Sequence, residues 1–186
     1  GTVIESNMLE DRKANYIASV FLQKNRAGCA FCDVSTGEFS LYQIQDARSN
    51  LSDELARLAP SEVIVNDREA FAELEPERAR KAECLGDEPF AYAVASKAMA
   101  AHFGKSVSEM GFDGQRLAVS AGGALLGYLT QTQKNALAHI LTAKPYESAN
   151  YMALDRVALR NLELVETARG KSRRGSLLWI LDKTST

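Results

Sequence analysis

Two cysteines three positions apart are the first feature of this sequence whose type and spacing suggest chemistry. Cys29-Ala30-Phe31-Cys32 is a C-x-x-C, the spacing of redox-active dithiols and of half a zinc site. Its neighbours argue for another role. Residues Gly28 to Val34 read as a strand, and along a strand residues three apart point to opposite faces. Two thiols on opposite faces hold no common metal and close no local disulfide, and Cys84 stands alone. The pair reads as small buried apolar side chains. His102 and His139 are far apart in sequence and in no metal-type spacing, which suits helix-surface or satisfied core residues. Neither a G-x-x-x-x-G-K-[ST] nor a G-x-G-x-x-G follows any strand-like run, so nucleotide binding by this chain is not expected. No metal or cofactor site is expected either.

These residues sit in a chain of 186 residues, 46% hydrophobic and 25% charged, which is ordinary globular usage. That length suggests one domain and a piece of another. Twenty-two basic residues against 24 acidic ones leave a net charge of −2, so no global positive field steers the chain to DNA or anionic lipid. No apolar run approaches the roughly 20 residues that span a bilayer, and no signal segment opens the chain. With three cysteines and no export signal, reduced thiols and a cytoplasmic location are expected. The chain begins at Gly1, as expected of a processed product or of a piece cut from a longer protein.

Hydrophobic periodicity supplies the elements. Tyr16–Leu22, Cys29–Val34 and Phe39–Ile44 read as strands. A polar connection over 23–28 and a turn over 35–38 make them an antiparallel meander. Leu51, Leu55 and Leu58 then fall at helical spacing ahead of Pro60, and Glu62–Asn66 reads as a short buried strand. Strand, helix and strand imply a right-handed crossover and a parallel pair. Glu73–Lys81 reads as a solvated charged stretch. Ala91–Phe103 and Gln115–Gln133 read as helices, the first stopped by Gly104. Gly122-Gly123 inside the second costs roughly 1 kcal/mol per glycine against alanine, which a close helix–sheet approach would offset. Thr142–Ser148 reads as a linker. Beyond it, the apolar residues up to Leu177-Leu-Trp-Ile-Leu181 form too small a core to fold alone.

Several motifs together carry a family resemblance. They are Asp33-Val-Ser-Thr-Gly-Glu-Phe39, Ala121-Gly-Gly-Ala-Leu-Leu-Gly-Tyr-Leu-Thr-Gln-Thr-Gln133, Met152-Ala-Leu-Asp155 with Arg160-Asn-Leu-Glu-Leu164, and Gly175–Asp182 with Thr184 and Thr186. In this order they closely resemble the MutS family of DNA mismatch-repair proteins, from its connector domain into the start of its core, or lever, domain. Ala158 and Leu159 depart from the threonine and basic residue more usual there. The resemblance implies an α/β, ribonuclease H-like mixed sheet: an antiparallel three-strand meander, then a parallel strand by crossover, flanked by helices. A short helical start of a truncated all-α domain would follow. The implied domains are a connector over 1–142 and a linker with the beginning of the core over 143–186.

The resemblance also implies a function. A MutS connector joins the mismatch-reading domain to the core and receives the partner MutL, and it is not itself an enzyme. Mismatched double-stranded DNA, ATP with Mg²⁺ and homodimerisation belong to the whole parent protein. Phe71-Ala72-Glu73 matches the F-x-E of mismatch reading but follows a connector strand, so it reads as a chance tripeptide. Two alternatives remain. A two-metal nuclease of this fold needs converging carboxylates, the first from the middle of strand one, yet Tyr16–Leu22 contains no acid. Accessory contact with the DNA backbone would fall to Arg169, Lys171, Arg173 and Arg174, a basic cluster in Gly/Ser context. For partner binding, Leu85 and Phe90 are the candidates, large apolar residues in a segment otherwise built of loop formers; the alternative, slightly favoured, is that Phe90 caps the sheet as a staple for the following helix.

Overall fold

The computed structural model describes residues 15–133 and 137–146. The chain divides into two units, Gly1–Tyr146 and Glu147–Thr186, and all described residues belong to the first. Strands β1 (Tyr16–Gln23), β2 (Arg26–Asp33) and β3 (Glu38–Ile44) form the expected antiparallel meander. The first connection is shorter than the polar run suggests: Gln23 already faces Arg26 across the ladder. Lys24 takes the left-handed conformation this tight turn needs, at φ 57°.

Helix α1 (Ala47–Leu58) begins earlier than its leucine spacing shows, because Asp46 caps it by accepting from the Ser49 N–H. The chain then crosses to β4 (Glu62–Val65), which pairs parallel to β1 rather than to β3. Asn66 extends that pairing with its side chain. Its Oδ1 accepts from the Leu22 N–H at 2.8 Å and its Nδ2 donates to the Leu22 carbonyl at 3.2 Å, standing in for a peptide group.

The charged stretch proves to be structured. Arg68–Leu74 and Pro76–Ala79 form helices α2 and α3. Glu75 between them is buried and paired with Arg78, whose guanidinium also donates to the Leu55 carbonyl of α1 at 3.3 Å. Glu75 is buried but a third of the Arg78 side chain stays exposed, so the pair gives up only part of its hydration. Phe71 is fully buried in the core, so the F-x-E tripeptide presents no aromatic ring to a ligand.

Strand β5 (Glu83–Cys84), a 3₁₀ turn over Glu88–Phe90, and helices α4 (Tyr92–Phe103) and α5 (Arg116–Thr132) complete the layers. Gly104 ends α4 at φ 65° as expected. The expected linker contains strand β6 (Ala143–Pro145), paired parallel to β3, so the sheet runs past residue 142. Tyr146 follows it into the core, its ring 4.9 Å from Tyr42 and 5.9 Å from Phe31, with the Arg57 guanidinium 5.0 Å from its centroid. This apolar anchorage explains why the segment is not a free linker. The six-stranded sheet has the order β5-β4-β1-β2-β3-β6.

Alternate residues feed two separate cores. Val20, Leu22, Cys29, Phe31, Tyr42 and Ile44 pack with Leu51, Leu55 and Phe71 from α1 and α2. Ile17, Ala30, Cys32, Phe39 and Leu41 pack with Met99 from α4 and with Val119, Leu125 and Leu129 from α5. Because both faces are covered, β2 is buried along its whole length after Arg26.

Glycine decides how closely the second layer sits. A Cβ on Gly28 would lie 1.8 Å from the Leu117 carbonyl oxygen, so α5 touches β2 backbone to backbone. A Cβ on Gly123 would lie 2.2 Å from Ala95 Cα, which makes that glycine a contact between helices. The expected helix–sheet approach at Gly122-Gly123 is thus divided: Gly122 meets Met99 and Leu41, while the closest sheet contact belongs to Gly28.

Two measurements check this packing. Gly123→Ala should lower stability by more than about 2 kcal/mol through overpacking. Gly127→Ala, whose added methyl meets nothing within 4 Å, should raise it by about 0.5–1 kcal/mol through helix propensity. Urea-unfolding midpoints of the two variants should therefore move in opposite directions. Thiol accessibility checks the two cores separately. Burial raises the Cys29 pKa and pushes Cys32 up to about 12, while Cys84 is exposed. A chromogenic disulfide reagent should titrate Cys84 alone in the native chain and Cys29 and Cys32 only after unfolding.

Candidate functional site

The residues singled out by their chemistry are scattered, and most are used structurally. Cys29 and Cys32 occupy opposite faces of β2, one in each core. His102 Nε2 donates to the Ile140 carbonyl at 2.8 Å, tying the end of α4 to the approach to β6. Asp33 is buried at the end of β2. Burial alone would raise its pKa, but hydrogen bonds from the Ser35 hydroxyl at 2.6 Å and N–H at 2.9 Å bring it below the ordinary value. This carboxylate shapes the β2–β3 turn. Glu38 lies directly opposite it in the ladder. Ser19 occupies the middle of β1, where a nuclease of this fold would carry its first carboxylate, and it is completely buried. Among the described residues, no three His, Cys, Asp or Glu side chains converge in a metal-binding group.

The two expected partner anchors part company in the structure. Phe90 is 0% exposed and its ring stacks on Phe21 at 5.3 Å. It is a core residue, since alternation directs Phe21 to the α4–α5 face of β1 and the 3₁₀ turn drops Phe90 onto it. Leu85 is half-buried, packed against the same core from the loop after β5. Only Leu85 therefore presents apolar area at the surface. Among the described residues, two exposed aliphatic side chains escaped the sequence reading: Val94 on α4 at 51% and Leu141 at 77%. Val94 sits within an alanine-rich run with little contrast between faces, so periodicity did not single it out. Arg169, Lys171, Arg173 and Arg174 lie outside the described residues, as does the apolar block 177–181.

A cleft at the edge of the α4–α5 layer was also not legible. Arg26 lines it from the β1–β2 hairpin, Tyr92 from the start of α4, and Arg116 and Ser120 from the first turns of α5. Phe21, Gln43 and Phe90 contribute to its wall. The Arg116 guanidinium lies 4.0 Å from the centroid of the Tyr92 ring, a cation–π contact. These residues come from four distant parts of the sequence with no shared motif.

Comparison with known proteins accounts for the architecture as a whole. The family described as MutS domain II matches residues 15–141. The DNA mismatch repair protein MutS of Ruminiclostridium cellulolyticum is 41% identical over the whole chain, and that of Acetivibrio thermocellus 40%. The MutS of Trichormus variabilis, 38% identical, is matched over the whole chain as well. The chain spans only 22% of the first two proteins and 23% of the third. No helix among the described residues is long and apolar enough to cross a membrane. With the meander, the parallel crossover strand and the flanking helices in place, the chain belongs to the MutS family of DNA mismatch-repair proteins, and residues 15–141 are its domain II.

Proposed function

We propose that this chain is a non-catalytic connector, linking the mismatch-reading and core domains of a longer repair protein and docking MutL. The observation that carries the reading is the domain II match over 15–141, in a chain spanning about a fifth of its repair-protein relatives. In this reading ATP with Mg²⁺, mismatched duplex DNA and homodimer contacts belong to other parts of that protein. The connector needs no cofactor of its own and works in the cytoplasm.

The docking edge is assigned to the loop after β5. Leu85 gives it an apolar contact, and Phe90 supports the loop from below by its stack on Phe21. Asp87 adds a fixed point, its Oδ1 accepting from Asn66 Nδ2 at 2.9 Å. A loop pinned at both ends loses little conformational entropy on binding, which suits an interface.

The nuclease reading lacks support at its first requirement. The central position of β1 is a buried serine, and Asp33 is engaged by Ser35. Incubating the chain with single- and double-stranded nucleic acid and Mg²⁺ or Mn²⁺ should leave the substrates intact; cleavage that co-purifies with the chain would overturn the connector reading.

Docking is checked with two variants in a MutL capture assay. Leu85→Ala should weaken capture at least fivefold and shift stability by less than about 1.5 kcal/mol, as for a half-buried side chain. Phe90→Ala should instead cost about 3–5 kcal/mol in unfolding free energy. Wild-type capture by Leu85→Ala would remove this loop from the docking face.

A further inference from the structure

The cleft between the β1–β2 hairpin and the first turns of α5 has features that the connector reading does not use. Its volume is about 340 Å³, within the range of cavities that take small ligands, about 300–1,000 Å³. Two guanidinium groups line it, from Arg26 and Arg116, and no carboxylate does. Among the described residues neither arginine forms an ion pair. Arg26 reaches only the Gln23 amide oxygen, at 3.5 Å, and Arg116 reaches only the Tyr92 ring. Two guanidinium groups lining one concavity that has no acid in its wall give it a positive potential that favours an anion.

A hydroxyl lines the cleft as well, that of Ser120, one helical turn along α5 from Arg116. A serine hydroxyl at the wall is available to donate to a ligand oxygen. Nor does Gln43 fill the space. Its Oε1 is already held by the Leu117 N–H at 3.1 Å, which fixes that side chain against α5. The wall beside these groups is apolar and aromatic, formed by Phe21 over Phe90 and by Tyr92.

We propose that this cleft binds a phosphate monoester carried on a small apolar group. A carboxylate neutralises one guanidinium, whereas a phosphate monoester at neutral pH carries close to two negative charges and three acceptor oxygens. That matches two planar guanidinium forks and one hydroxyl donor. The apolar wall accepts the body of the ligand next to the charged head. The assignment does not rest on MutL docking: Leu85, the docking contact, does not line the cleft, and the residue the two share is Phe90, a buried support.

Phenyl phosphate is the probe, titrated into the whole chain and followed by amide chemical shifts in NMR spectra. The expected result is saturable shifts confined to the residues around Arg26, Arg116 and Ser120, with inorganic phosphate binding more weakly and benzoate at least tenfold more weakly. Arg26→Gln and Arg116→Gln alter exposed side chains, and the remaining amide shifts show that the fold is kept. Each should weaken phenyl phosphate at least tenfold, and Ser120→Ala about threefold or more. Absence of saturable shifts, benzoate binding as tightly as phenyl phosphate, or arginine variants within twofold of wild type would each overturn the proposal.

Discussion

The molecule depends on one close approach, the contact of β2 and α5 backbone to backbone at Gly28. Any side chain there would collide with the Leu117 carbonyl, 1.8 Å from the position of a Cβ. With the glycine in place, α5 lies directly on the sheet, and Leu117, Ala118, Val119, Ala121 and Leu125 are all buried. Interiors pack at near-crystal density, so a shift of one methyl group would be felt across such an interface. A second glycine continues the arrangement: Gly123 lets α4 lie against α5 with Ala95 at the contact. Two absent side chains thus set how closely the layer of α4 and α5 sits, and the Leu117 N–H donating to Gln43 Oε1 at 3.1 Å ties α5 to β3.

The opposite face is held in a different way. There α1, α2 and α3 cover the sheet with ordinary apolar packing, reinforced by polar groups whose needs are met internally. Asn66 imitates a peptide group between β1 and β4, and Arg78 joins buried Glu75 to the end of α1. Tyr146 closes the far edge against Tyr42 and Phe31. Each polar contact satisfies a group that would otherwise be buried without a partner.

A sheet covered on both faces restricts where function can lie. The thiols of β2 are sealed in the cores, Ser19 is buried in mid-strand, and Asp33 is committed to its turn. Among the side chains that remain available, Leu85 in the loop after β5, Arg26 at the β1–β2 hairpin and Arg116 at the start of α5 stand at the rims. This distribution is one of the observations behind the connector proposal, in which the domain works through its surfaces.

Much of this was legible in the residues alone. Period-two alternation marked the three meander strands, leucine spacing and Pro60 marked α1, and the parity of Cys29 and Cys32 placed them on opposite faces. Each depends on local geometry, where side-chain direction follows directly from position along the chain. The family, too, could be read from short motifs kept in order. What needed the tertiary structure was every feature set by residues distant in sequence. The β1–β2 connection looked long because its polar residues belong to strand ends. Residues 143–145 looked like a linker because a three-residue edge strand has no periodicity to display; pairing with β3 and the burial of Tyr146 create it. Phe90 could be read either as a surface anchor or as a staple on the sheet because loop formers surround it, and only the folded chain decides for the staple by putting Phe21 beneath it. The arginine cleft belongs to the same class. Arg26, Tyr92, Arg116 and Ser120 become neighbours only because Gly28 lets α5 come down onto the sheet, and a missing side chain leaves no periodic signal of what will approach it.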